Sequence, residues 1–111
     1  MVISRGLDTA YDVIDSIEGE AVQGAARSKV LIGGDEIVLE KMTFENGAFS
    51  SPHTHTYEIV SYVLRGRGDV TIGKDTFRVN TGDSFRCGKG VPHSLKAVEG
   101  EITVIEAHGK V

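Results

Sequence analysis

The sequence predicts a single all-β domain that closes into a barrel or sandwich, and three observations carry this prediction. Short apolar and β-branched runs recur at intervals of about ten residues, and turn residues separate them. The 111-residue chain contains 14 glycines and only 2 prolines, which suits many tight turns. No helical period is convincing after residue 20. Strands of this length and spacing usually close into a sandwich, a jelly roll or a barrel.

About eight strands follow one another from residue 28 onward. Gly33-Gly34-Asp35 forms a turn after the first strand, and the next strand shows the two-residue alternation of a β-strand. Gly73-Lys74-Asp75 is predicted to close a β-hairpin between two later strands. The predicted strands cover residues 28–32, 36–44, 57–64, 69–72, 76–79, 84–87, 93–98 and 101–107.

The chain is predicted to divide into a barrel at residues 28–111 and an N-terminal arm or edge strand at residues 1–27. The N-terminal segment mixes apolar residues with acids, and a loosely held terminus is the plain alternative. A small barrel leaves strand edges that proteins tend to cover, and this segment could cross to a partner subunit. We therefore expect a homodimer.

Composition and charge argue against several classes of protein. The formal net charge is −4 and lysine and arginine form no run, which argues against nucleic acid as a partner. No apolar run approaches the roughly 20 residues that span a bilayer, and the N-terminus lacks the order of a signal peptide. Cys87 is the only cysteine, so no intrachain disulfide can form. A cytoplasmic protein without a nucleic-acid or membrane partner fits these features.

Three histidines form the pattern with the clearest chemistry. His53 and His55 are two residues apart, so on an extended strand their imidazoles point to the same face. His93 follows Gly90-Val91-Pro92 at a predicted junction between a turn and a strand. If the two strands are neighbours, the three imidazoles converge, and neutral imidazole suits zinc, iron, nickel, copper and, more weakly, manganese. Two exposed histidines on one strand face would give the same His-x-His pattern.

The segments that carry these histidines resemble the two motifs of the cupin superfamily. Gly47 to Gly66 resembles G-x5-H-x-H-x3,4-E-x6-G, and Gly82 to His93 resembles G-x5-P-x-G-x2-H. The glycines and histidines match with the right internal spacing. The resemblance implies a double-stranded β-helix, or jelly-roll barrel, with one divalent transition-metal ion in its mouth. It also implies that Gly66 and Gly82 serve as turn glycines.

The sequence departs from the first motif at its acidic position. The family usually has Glu, Gln or His seven residues before the last glycine, and this chain has Ile59 there, with Glu58 one residue earlier. A shift of one residue turns a side chain to the opposite face of a strand. Two alternatives follow: a bulge swings Glu58 inward as a fourth metal ligand, or water fills that position.

The resemblance leaves the activity open, since cupins include isomerases, lyases, decarboxylases, dioxygenases and proteins without known catalysis. Our first hypothesis is a metal-dependent enzyme that acts on a small polar or carbonyl-bearing metabolite. The second is a non-catalytic binding or sensor module for a sugar-like ligand. Residues 32–48 and the segments around Pro52, Leu64 and Pro92 also resemble small cupins that linearise unsaturated uronates, although those enzymes usually have Gln at the position of Ile59.

Two further residues have plainer interpretations. His108 lies close to the C-terminus and is expected to be a surface histidine. Cys87 is expected to be a small core residue, because no neighbouring residue in the sequence would act as its base.

Overall fold

Two antiparallel sheets of six strands each form the fold. The computed structural model describes residues 2–110, apart from the side chain of Asp8. Within this part of the chain there is no α-helix, and the only helical turn is a short 3-10 turn at Gly6–Asp8. The strands are β1 Asp12–Val13, β2 Ser16–Ile17, β3 Glu20–Gln23, β4 Ala26–Gly33, β5 Ile37–Phe44, β6 Phe49–Ser50, β7 Ile59–Arg65, β8 Arg67–Ile72, β9 Asp75–Asn80, β10 Ser84–Cys87, β11 His93–Ala97 and β12 Ile102–Gly109.

The strands interleave between the sheets as in a jelly roll. One sheet has the order β1-β4-β5-β12-β7-β10, and the other has the order β2-β3-β6-β11-β8-β9. The all-β prediction is confirmed, and the eight predicted strands are β4, β5 and β7 to β12. Sequence alone did not predict β6, and it offered the region of β1 to β3 only as an arm or an edge strand, because runs of two to four residues are too short to show alternation.

The N-terminal strands pair with both sheets. β1 lies at the edge of the first sheet against β4, and β3 pairs with β6 in the second sheet. The predicted division between residues 27 and 28 falls inside β4. Val22 is buried, and Ile14 and Ile17 pack against the same apolar core. The segment from β1 to β3 therefore contributes to the wall of the barrel.

The inner face of β12 explains where the core ends and a polar cavity begins. In antiparallel sheets, residues directly opposite each other share a face. Along β12, Ile102 and Val104 are fully buried and lie opposite other apolar residues. The next two inward-facing residues are Glu106 and His108. The barrel is therefore apolar at one end and titratable at the other.

The turn glycine Gly66 has a steric role as well as a conformational one. Gly66 and Gly82 adopt positive φ angles of 96° and 92°, a region that non-glycine residues resist. A Cβ on Gly66 would lie 2.2 Å from the carbonyl oxygen of Glu101. Any side chain there would have to push β12 away. In residues 2–110, no helix has the length and apolarity needed to cross a bilayer.

Candidate metal centre

A short backbone bridge brings the two histidine segments together. The amide N–H of His53 donates to the carbonyl oxygen of His93 at 3.0 Å, and the reverse bond has the same length. His55 follows two residues later with its ring on the same side. The ring centroids lie 4.4 to 5.0 Å apart. One ligand nitrogen from each ring lies within 4.8 Å of the other two. An ion bound at about 2.0–2.1 Å from all three nitrogens would draw the rings closer together.

The three rings are oriented by hydrogen bonds at Nδ1. Each Nδ1–H donates to an oxygen, which fixes the tautomer and leaves Nε2 with a free lone pair in the neutral ring. The acceptors are the Ser51 carbonyl for His53 at 2.9 Å, the Val91 carbonyl for His93 at 3.0 Å and the Glu18 carboxylate for His55 at 3.1 Å. This arrangement is the usual support for a metal-ligating histidine.

One nitrogen in this cluster is buried without a partner. Nε2 of His93 is shielded from solvent and has no hydrogen-bond partner among the described residues. Buried polar atoms are normally paired, so an orphan needs an explanation. Divalent transition metals that accept imidazole nitrogen match the donor set, and an ion at this point would satisfy the lone pair. The residues present therefore fit the metal that the fold suggests.

Burial keeps these imidazoles in the form that binds metal. Desolvation lowers the pKa of His53, His55 and His93 below the ordinary 6.5 of histidine, although the hydrogen bonds at Nδ1 partly oppose it. Neighbouring imidazoles add to the lowering, because two charged rings in contact would repel. The three rings are therefore neutral at pH 7, as ligation requires.

The structure does not bring Glu58 to the cluster. Its side chain is 55% exposed, and its carboxylate lies 3.5 Å from the guanidinium of Arg86 on the outside of the barrel. Ile59 is buried and lines the cavity. β7 starts at Ile59 without a bulge there. Strand alternation therefore turns the side chain of Glu58 away from the cavity, and no bulge swings it inward as a fourth ligand.

A second polar group lies across the cavity and was missed by sequence reasoning. His108 was expected at the surface, but its side chain is only 12% exposed and lines the cavity. Its Nε2 lies 2.7 Å from the Glu40 carboxylate, and its Nδ1 lies 2.8 Å from the Gly109 carbonyl. Burial lowers the pKa of His108, but the bonds to Gly109 and Glu40 outweigh that effect and raise it. His108 and Glu40 therefore form a hydrogen-bonded pair, which becomes an ion pair when the imidazole is protonated.

Glu106 lies directly opposite Glu40 on the neighbouring strand. Its other neighbour across the sheet is Ser61, whose buried hydroxyl lies beside the Glu106 carboxyl and partly opposes the rise in its pKa. Burial and the charge of Glu40 raise the pKa of Glu106 to about 7. Two carboxylates side by side cannot both ionise easily. At neutral pH, Glu106 therefore holds a proton for much of the time.

Tyr57 lies between the three-histidine cluster and the His108–Glu40 pair. Its ring stacks on His55 with centroids 4.8 Å apart and on His108 with centroids 4.5 Å apart. Burial raises the pKa of the Tyr57 phenol, and the nearby glutamates add to the effect. The phenol therefore stays protonated between the histidine cluster and the His108–Glu40 pair.

These groups line one cavity of about 220 Å³. Its described lining contains the four histidines, three glutamates, several serines, Tyr57 and apolar residues, and neither lysine nor arginine. The glutamates are Glu18, Glu40 and Glu106. Cys87 also lines it, is 2% exposed, and has a pKa that burial raises to about 11. A thiol with this pKa is not a nucleophile at neutral pH, which agrees with the expected packing role.

The fold and this site define a small β-barrel protein with a three-histidine cluster in its mouth. Residues 40–108 match the family described as Cupin domain, which is more than half of the chain. The chain therefore belongs to the cupin family.

Known relatives agree with this assignment. The chain is 24% identical over 90 residues to the pectin degradation protein KdgF of Dickeya dadantii (strain 3937). The aligned region covers 80% of this chain and 82% of that protein. The structure of KdgF from Halomonas sp. superposes with a TM-score of 0.80 at 21% identity, over 98% of this chain and 93% of that one. An RmlC-like cupin from Shewanella frigidimarina gives a TM-score of 0.82 at 23% identity, over 100% of this chain and 92% of the other. These two structural similarities show that the fold is shared.

Proposed function

We propose that the protein is a metal-dependent enzyme that acts on a small polar or carbonyl-bearing metabolite. The observation that carries this proposal is the convergence of three neutral imidazoles, one of them with a buried and unpartnered Nε2. His53, His55 and His93 would hold the ion. The described part of the chain offers no fourth side-chain ligand in the same group, so the remaining positions would be open to water or substrate, as catalytic sites require.

The chemistry divides between the ion and the opposite wall of the cavity. When bound, a divalent ion would supply Lewis-acid polarisation of a carbonyl or hydroxyl oxygen. Glu106 holds a proton near neutral pH and can give it up or take it back. The His108–Glu40 pair can hold a second proton at Nε2 of His108. This arrangement suits proton transfer at a carbon next to a carbonyl, as in an isomerisation or a lyase reaction.

Linearisation of an unsaturated uronate is the second candidate. It is favoured by the similarity to the two KdgF proteins and by the resemblance seen in the sequence. No lysine or arginine lines the described cavity, so the carboxylate of a uronate would have to bind at the metal or remain in solvent. A neutral carbonyl compound needs no such positive partner and is the substrate class we favour.

The test is turnover by purified protein loaded with Zn²⁺, Mn²⁺, Ni²⁺ or Fe²⁺. One arm follows loss of the ultraviolet absorbance of unsaturated galacturonate, and another follows deuterium uptake from D₂O next to the carbonyl of neutral sugars by NMR. We expect turnover that disappears after treatment with a chelator and returns with metal. Metal-dependent binding without turnover in either arm would instead support the non-catalytic binding or sensor module.

We also propose a homodimer, and the exposed apolar side chains on the outside of β7 support it. Val60, Tyr62 and Leu64 are 42 to 49% exposed, and they lie on a face where Leu39 and Ile105 line a shallow groove. We expect light scattering after size-exclusion chromatography to give twice the chain mass at micromolar concentration, and Tyr62→Glu to shift the protein toward monomer. A wild-type protein that is monomeric at that concentration would contradict the dimer.

A further inference from the structure

We propose that Glu18, on the turn of the β2–β3 hairpin, is a positioning residue for His55 and couples that hairpin to occupation of the metal site. The role of Glu18 rests on the proposed function, since it requires that the three histidines bind metal. The hairpin comprises residues 16–23 and lies at the mouth of the cavity, where Ser16, Ile17 and Glu18 form part of the lining.

His55 needs a partner that the other two histidines find in their own backbone. His53 and His93 each donate from Nδ1 to the carbonyl two residues earlier in the chain. For His55 that carbonyl belongs to His53, and it already accepts the amide N–H of His93. The Glu18 carboxylate takes its place at 3.1 Å. Glu18 thus performs for His55 the role that a main-chain oxygen performs for the other two.

The hairpin holds Glu18 in a backbone conformation that glutamate does not favour. Ile17 pairs with Glu20, so Glu18 and Gly19 form a two-residue turn. Both have positive φ, 53° at Glu18 and 78° at Gly19, as in a type I′ turn, where Asn-Gly is preferred. A glutamate in the left-handed region is unfavourable for stability.

Two neighbours hold the ring of His55, and one of them, Glu18, lies on the hairpin. Tyr57 stacks on one face of that ring, and Glu18 holds its Nδ1 edge. A carboxylate that accepts from a ligating imidazole fixes the ring and strengthens it as a ligand. Ile17 packs against the core, and the amide of Val22 bonds to the carbonyl of Asp15. Metal binding that draws on Glu18 should therefore also stabilise the hairpin.

The test compares Glu18→Asn with Glu18→Gln and with Glu20→Gln as a matched control. Asparagine suits the turn but is too short to reach His55, whereas glutamine can still accept the hydrogen bond without charge. Glu20→Gln removes the same charge from the same hairpin without removing a bond to an imidazole. Zn²⁺ affinity is measured by competition with a chromophoric chelator. We expect Glu18→Asn to weaken binding by about 10–100-fold, Glu18→Gln to weaken it less, and Glu20→Gln to change it little.

Thermal unfolding and hydrogen exchange separate positioning from a structural role. The metal-free Glu18→Asn protein should be at least as stable as wild type, because Asn-Gly favours the turn, although its Zn²⁺ affinity falls. In wild type, Zn²⁺ should slow exchange at the amides of Val22 and Ser51, which donate to the carbonyl oxygens of Asp15 and Ala21. In Glu18→Asn this protection should be lost.

Two results would overturn the inference, and they are distinct. Equal Zn²⁺ affinity for Glu18→Asn and Glu20→Gln, in a wild type that binds Zn²⁺, would remove the role of Glu18 and leave the metal site intact. A wild type that binds no divalent transition metal would remove the metal site itself, and the role of Glu18 with it.

Discussion

Replacement of both His53 and His55 with alanine is expected to abolish stoichiometric metal binding while the barrel stays folded. The double variant removes two of the three imidazoles that converge within 4.8 Å. The loss should exceed the roughly 10–100-fold that removal of a supporting residue costs, because the ligands themselves are gone. The two side chains lie in the mouth of the cavity, away from the apolar core. The far-ultraviolet circular dichroism of the variant should therefore match wild type, and equilibrium dialysis with elemental analysis measures the metal.

Two single variants control for general damage to the cavity. His108→Ala removes a fourth imidazole from the same cavity that is not part of the three-histidine group. Glu58→Ala removes the carboxylate that the sequence motif offered as a fourth ligand but that pairs with Arg86 outside the barrel. Both should keep about one ion per chain. One ion per chain in the His53→Ala/His55→Ala protein would refute the site.

Glu106→Gln is expected to make the metal-free protein more stable above pH 7, by an amount on the order of 3 kcal/mol. Burial and Glu40 raise the pKa of Glu106 to about 7 from an ordinary 4.5. Between these two values the folded chain holds a proton that the unfolded chain has released. The free energy of unfolding contributed by this group therefore falls as pH rises from about 4.5 to 7 and stays low above that window. Glutamine keeps the shape without the charge and removes the loss.

The measurement is urea unfolding of wild type and Glu106→Gln at pH 4.5 and pH 8, with chelator present. The gap between the two proteins should be small at pH 4.5 and large at pH 8. Glu58→Gln controls for the same substitution at an exposed site, and should show little gap at either pH. A Glu106→Gln protein that is less stable than wild type at pH 8 would mean that an ionised Glu106 stabilises the fold, and the proton-transfer role would lose its basis.

The strand pattern was sufficient to predict an all-β fold, and the resemblance to the two cupin motifs pointed to a jelly-roll barrel and to His53, His55 and His93. The alternation did not reveal that polar residues on an inward-facing side of a strand line the cavity. Glu40 shares its strand face with Met42 and Phe44, and Glu106 shares its face with Ile102 and Val104. A carboxylate in such a series is the signal that could have identified the second polar group. Register across β5, β12 and β7 then places the two glutamates side by side, and register cannot be derived from one strand.

Two other residues depended on tertiary pairing. His108 was assigned to the surface because it is near the end of the chain, yet β12 is a central strand between β5 and β7. Glu18 lies on a hairpin whose strands have two and four residues. Strands this short carry no readable pattern. They form because they pair with each other, because β3 pairs with β6, and because both pack on the core. Their contribution to the site could be seen only once the chain was folded.

A crystal structure of the zinc-loaded protein, with data collected on both sides of the zinc absorption edge, tests the central claim most directly. We predict one anomalous peak per chain, at about 2.0–2.1 Å from Nε2 of His53, His55 and His93, with water or buffer oxygen completing the coordination. A peak bonded to only one of these rings, or located at surface carboxylates while Nε2 of His93 stays unpartnered, would contradict the account.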